Sequence, residues 1–87
     1  MVAADKKTVD RLLKTAKGQI EGILKMIEED RYCIDVANQL LSVEAILKKS
    51  RHVILQEHLA HCVRQVKDEK ELQEKVDELA KILTKMD

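Results

Sequence analysis

The sequence predicts an all-helical protein, and three observations carry that reading. It contains no Pro and two Gly, it has no Phe or Trp and a single Tyr, and its apolar residues recur at helical spacing. With few breakers and few large β-formers, 45% hydrophobic and 37% charged residues point to helices throughout. At 87 residues the chain is read as one small domain spanning 1–87, without linkers, repeats or low-complexity tracts. A core limited to Leu, Ile, Val, Ala and Met is thin for a monomer of this size. Burial between copies of the chain is therefore the expected route to stability.

The first helix is expected from Lys6 to Glu29. Val9, Leu12, Leu13, Ala16, Ile20, Ile23, Leu24 and Ile27 recur at three- and four-residue steps, with Thr8 or Asp5 as the cap. Gly18 and Gly22 lie four apart on one side, and each costs up to about 1 kcal/mol against Ala. Their pairing points to close approach of another backbone. After the polar break Glu28-Glu29-Asp30-Arg31, a second helix runs from Cys33 or Asp35 to about Lys67. Its expected stripe is Ile34, Ala37, Leu41, Ala45, Leu55, Leu59, Cys62 and Val66, flanked by Leu40, Leu47 and Ile54 and interrupted by Lys48 and His52. So long a helix cannot bury itself against its own short chain, which again argues for self-association. A third amphipathic helix follows Asp68–Lys70, carrying Leu72, Val76, Leu79, Ala80, Ile82 and Leu83 and ending near Lys85.

Net charge is zero, but its distribution is not even. Residues 1–20 carry five bases against two acids and residues 36–67 again five against two, whereas 21–35 carry two against five and 68–87 four against seven. The zones are either an ordinary solvated surface or a basic face made where two helices meet, suited to phosphates. No apolar run approaches the ~18 residues of a membrane span, and no signal peptide is visible, so no membrane partner and a cytoplasmic location are expected. Two Cys without a secretory signal fit a reducing compartment, where thiols act as ligands or sensors.

Cys33, His58 and Cys62 are the residues with chemistry. His58 and Cys62 are four apart and share a helix face, while His61 points elsewhere. Cys33 opens the same helix. If that helix is continuous, its 29 residues to Cys62 span about 43 Å, too far for one ion. Two copies packed antiparallel would instead set Cys33 of one beside His58 and Cys62 of the other, giving two equal sites. Two thiolates and an imidazole are a soft three-donor set that suits Cu(I) first and Zn(II) second, since structural zinc wants a fourth donor. The bland alternative is that both Cys are small buried hydrophobes and His58 a surface residue.

At these residues the sequence resembles the copper-sensitive operon repressor (CsoR/RcnR) family of bacterial regulators. The resemblance is carried by Arg11-Leu12, Gly18-Gln19-Ile20-Glu21-Gly22-Ile23, Met26-Ile27-Glu28, Asp30 through Val36, Gln39-Leu40 and Glu57 through Val63. It covers most of residues 11–63, and the third helix matches by pattern only. The resemblance implies a three-helix subunit, an antiparallel four-helix bundle in the dimer, and pairing to a homotetramer. It implies a repressor that leaves operator DNA when its inducer binds, with Cu(I) held by Cys33, His58 and Cys62 across the dimer. It also implies a Tyr and a Glu behind the His: Tyr32 matches directly, and Glu78 is the nearest match on the third helix. Together they could hold the second ring nitrogen and tie the long helix to the third.

Other members of the family sense other inducers. Nickel- and cobalt-sensing members need an N-terminal His and a His where Cys62 stands, and formaldehyde-sensing members need a Pro after the initiator Met; Met1-Val2-Ala3 fits neither. Persulfide-sensing members need the two Cys alone, so that chemistry competes with copper. No helix-turn-helix, zinc finger or aromatic platform is visible, and DNA binding rests on the resemblance. Its candidate residues are Arg11, Lys14, Lys17 and Gln19 on the first helix and Lys48, Lys49 and Arg51 on the second, with Arg11 and Arg51 foremost. A helical metal-buffering module without DNA binding is a third reading. An enzyme is not expected, because no nucleophile–base pair or phosphate loop stands outside the proposed ligands.

Overall fold

The computed structural model describes residues 3–86, with the side chains of residues 3–5, 62 and 63 outside the description. Its three helices are α1 (Ala3–Glu28), α2 (Cys33–Gln65) and α3 (Glu69–Thr84), and no strand occurs among the described residues. The all-helical reading holds, and each helix falls within a few residues of its expected range. The start of α1 differs. Thr8 and Asp5 lie inside the helix rather than capping it, because nothing from Ala3 to Lys7 breaks a helix and Ala and Lys favour one.

The α1–α2 turn is closed by the backbone. Arg31 N–H donates to Met26 O (3.0 Å) and Asp30 N–H to Ile27 O (3.1 Å), with Asp30 in the left-handed region at a φ of 54°. This is the paired bonding of a Schellman end, with Asp where Gly is usual. Tyr32 O then accepts from both Asp35 N–H and Val36 N–H and starts α2. Asp68 starts α3: its backbone is extended and its carboxylate accepts from Glu71 N–H at 2.8 Å, while Glu71 reaches back to Lys67 N–H at 3.3 Å.

The described residues form two compact units, divided between Glu57 and His58. In the first, α1 and the part of α2 up to Glu57 enclose a small core of Val9, Ala16, Ile23 and Val43, with Val36 and Ile46 packed at its margin. Buried Ser50 joins them, its hydroxyl donating to Ile46 O at 2.9 Å and so remaining satisfied. The face of α2 turned to α1 is therefore Val36, Val43, Ile46 and Ser50, not the stripe expected from Ile34 through Leu41 and Ala45. Ile34 and Leu41 are exposed. The reason is that α2 is apolar around most of its circumference, so periodicity does not single out the face α1 takes. In the second unit, α2 from His58 onward and α3 form the body, and α3 has no buried residue.

Turning about 100° per residue from these buried positions gives the α1–α2 pair two unlike edges. One edge carries Leu13, Ile20, Leu24 and Ile27 of α1 with Leu40 and Leu47 of α2, all more than two-fifths exposed. The other is polar, and the Ser42 hydroxyl donates there to Gln19 Oε1 at 3.1 Å, joining the helices. The glycines do not mark a close approach within the chain: a Cβ at Gly18 or Gly22 would meet nothing within 4 Å. Their side of α1 faces away from α2, so no backbone of the same chain approaches them.

Candidate functional site

Of the expected metal donors, Cys33 belongs to the first unit and His58 to the second. Cys33 is the first residue of α2, a free, exposed thiol in a shallow cleft with Ile27, Arg31, Val36 and Leu40. The side chain of Cys62 lies outside the described residues. Among the described residues no three His, Cys, Asp or Glu side chains gather where they could hold an ion within one chain.

The second unit does bring His58 and Glu78 together. His58 Nε2 lies 4.0 Å from Glu78 Oε2, within ion-pair range but beyond a hydrogen bond. α3 supplies Glu78 because its Asp68-capped start sets the register of the helix beside α2. Lys75, three residues before Glu78, places Nζ 3.8 Å from the same oxygen. Sequence reasoning passed over Lys75, although the i,i+3 spacing on a helix was its signal. All three side chains are more than a third exposed, so these contacts orient the groups more than they stabilise the fold. An apolar cleft of Leu59, Val66, Leu72, Val76 and Leu79 flanks His58 and the Lys75 stem. Tyr32 belongs to the first unit and is two-thirds exposed.

A free thiol and an imidazole whose Nε2 lies 4.0 Å from a carboxylate are donor types that would suit a soft cation, with Nδ1 as the ring nitrogen left to ligate.

The seven expected DNA contacts all lie in the first unit but not on one edge. Gln19 and Lys49 lean to the polar edge, by the same helical turning that places Ser42 there, and Arg11 stands on the outer face of α1 beside Gly18 and Gly22. Lys14 points away from α2 and pairs with Asp10 at 2.9 Å. That hydrogen bond, and then the Asp10 charge, raise its pKa above the ordinary lysine value. Lys17 and Arg51 lie toward the apolar edge, and Lys48 points away from α1. Arg51 is half-buried, and its Nε is buried without a hydrogen-bond partner.

No described helix is long and apolar enough to cross a membrane. A family model described as a metal-sensitive transcriptional repressor matches residues 5–85. The chain is 49% identical over 51 residues to the copper-sensing transcriptional repressor RicR of Mycobacterium tuberculosis, covering 59% of this chain and 53% of that one. It is 46% identical over 50 residues to the copper-sensing transcriptional repressor CsoR of Mycobacterium ulcerans, covering 58% and 43%. With CsoR of Bacillus subtilis it shares 39% over 59 residues, covering 68% and 58%. The chain thus spans about half the length of the curated relatives it matches. No solved structure matches it significantly. A family match over residues 5–85, on three helices that carry the Cys33 thiol and the His58–Glu78 pair, establishes that the chain belongs to the metal-sensitive transcriptional repressor family.

Proposed function

We propose that this chain is a copper-responsive transcriptional repressor: it binds operator DNA without metal and leaves it when Cu(I) is bound. The observation that carries the reading is the His58–Glu78 pair, a ligand-type imidazole with its far nitrogen facing a carboxylate, in a chain whose curated relatives are named copper-sensing repressors. It has no enzymatic role in this reading, and it works in the cytoplasm as a single functional domain over residues 1–87.

Cys33 of one copy and His58 and Cys62 of another would hold the ion, because α2 runs as one helix from Cys33 to Gln65 and separates its own two thiols by 29 residues. The apolar edge of α1–α2 is the surface a second copy covers, giving an antiparallel four-helix dimer that pairs to a homotetramer. Cu(I), when bound, supplies a soft, closed-shell cation that two thiolates and one imidazole satisfy. Glu78 orients His58 through Nε2, and Tyr32 adds its hydroxyl from the start of α2. Since Glu78 stands on α3 and His58 on α2, fixing that pair ties the two helices and biases the subunit against its DNA-binding arrangement. Arg11, Lys14, Lys17, Gln19, Lys48, Lys49 and Arg51 are the proposed DNA residues, with Gln19 and Lys49 sharing the polar edge.

Fluorescence anisotropy with a labelled duplex from upstream of its own gene tests the reading. The metal-free protein binds, and stoichiometric Cu(I) releases it. Binding unchanged by Cu(I) refutes copper as inducer. The exposed, free Cys33 also suits a persulfide sensor, and release by persulfide but not Cu(I), retained in His58→Ala, would select that alternative.

A further inference from the structure

Gln19 stands at the seam of the α1–α2 pair, half-buried beside the core residues Ala16 and Ile23 and next to the open side of Gly18 and Gly22. A glutamine amide is ambiguous toward DNA, since it offers an acceptor and two donors and can read an adenine with both. Here one of the oxygen's two acceptor positions is already taken. Ser42 has one hydroxyl hydrogen, and it goes to Gln19 Oε1 at 3.1 Å across 23 residues of sequence. With Oε1 engaged by Ser42, the amide's two Nε2 hydrogens are its groups left for an outside acceptor. The neighbouring Thr15 hydroxyl is turned back to Arg11 O at 2.9 Å, so it does not compete for the amide. Lys49, two turns beyond Ser42, lies on the same edge of α2, and Arg11 stands on the adjoining outer face of α1, on the side of Gly18 and Gly22. This side of the pair thus presents cations at Lys49 and Arg11 around a neutral donor at Gln19, and its complement is an acceptor that carries negative charge: a phosphate oxygen.

We infer that Gln19 donates through Nε2 to a DNA backbone phosphate and that Ser42 is the positioning residue that aims it. The inference rests on the DNA-binding reading above. Such a contact fixes register on the duplex without reading sequence, and being uncharged it releases no counterion.

Three variants and one salt series test it on the metal-free protein with the labelled upstream duplex. Gln19→Glu keeps the oxygen that Ser42 holds and loses the donor. DNA affinity is expected to fall at least about tenfold, the equivalent of a hydrogen bond to a charged group, with thermal stability unchanged. Gln19→Ala is expected to weaken binding by a similar factor while leaving the slope of log affinity against log salt as it was. Arg11→Ala, by contrast, lowers that slope by about one. Ser42→Ala weakens binding in the unaltered chain, has no further effect in the Gln19→Ala background, and is rescued by Ser42→Thr. Unaltered binding in Gln19→Glu and Ser42→Ala overturns the inference, as does an effect of Ser42→Ala that persists without Gln19. Absence of DNA binding by the unaltered protein overturns the repressor reading and this contact with it.

Discussion

Asp30 holds a φ of 54° where α1 ends, a conformation that costs an ordinary L-residue roughly 1–2 kcal/mol and glycine almost nothing. Part of that relief is lost to the greater freedom of glycine in the unfolded chain. Asp30→Gly is therefore expected to stabilise the protein by about 0.5–1 kcal/mol, and Asp30→Val, β-branched, to destabilise it by at least as much. Urea denaturation at one fixed protein concentration reads both, since the proposed self-association would make stability concentration-dependent. Equal midpoints for the three proteins would show that the turn carries no such strain. A second residue-scale prediction concerns Glu78. Glu78→Gln keeps the side chain's shape but removes the charge facing His58 Nε2. Cu(I) affinity, measured by competition with a chromophoric chelator, should fall about tenfold or more, while metal-free DNA affinity stays the same. Unchanged copper affinity would reduce the pair to a surface contact.

Helix by helix, the sequence was most readable where a single apolar face met a single neighbour. The periodicity of α1 contained its buried residues Val9, Ala16 and Ile23, because a helix packed on one side shows one stripe. It also contained Leu13, Ile20, Leu24 and Ile27, which remain exposed; spacing identifies apolar surface but not what covers it. For α2 the same signal chose Ile34, Ala37, Leu41 and Ala45 over Val36, Val43, Ile46 and Ser50, because both sides are apolar and Ser50 hides its polarity in its own helix. Cys33, His58 and Glu78 were legible from donor chemistry and resemblance. Lys75 was passed over despite its i,i+3 spacing to Glu78 on one helix, and the Ser42–Gln19 bond was not legible, since it depends on which faces of two helices lie side by side. Gly18 and Gly22 give this scale its prediction. With open space where an added methyl group would stand, Gly18→Ala and Gly22→Ala should each raise stability by about 0.5–1 kcal/mol through helix propensity alone. Sedimentation should show self-association unchanged, because neither glycine lies on the apolar edge. A loss of stability would mean that another backbone does sit there.

At the scale of the whole molecule, one experiment separates a site shared between copies from any site within one. If Cys33 of one copy works with His58 and Cys62 of another, each dimer has two sites, and each site draws on both chains. Cys33→Ala and Cys62→Ala would then each abolish both sites in their own homodimers. In a mixed dimer, one site carries both lesions and the other carries neither. Random exchange of equal amounts makes about half of the dimers mixed, so about one quarter of all sites recover. Two proteins that bind no Cu(I) at this site separately should therefore bind about a quarter of the full amount after denaturation, mixing and refolding together. The same mixture with Ile20→Glu in both chains should recover none, since a charge on the apolar edge blocks the contact between copies. No recovery from the first mixture, with dimers shown to be present, would refute the shared site. Recovery of the expected fraction cannot arise from a site within one chain, because every chain in the mixture lacks one of the two thiols.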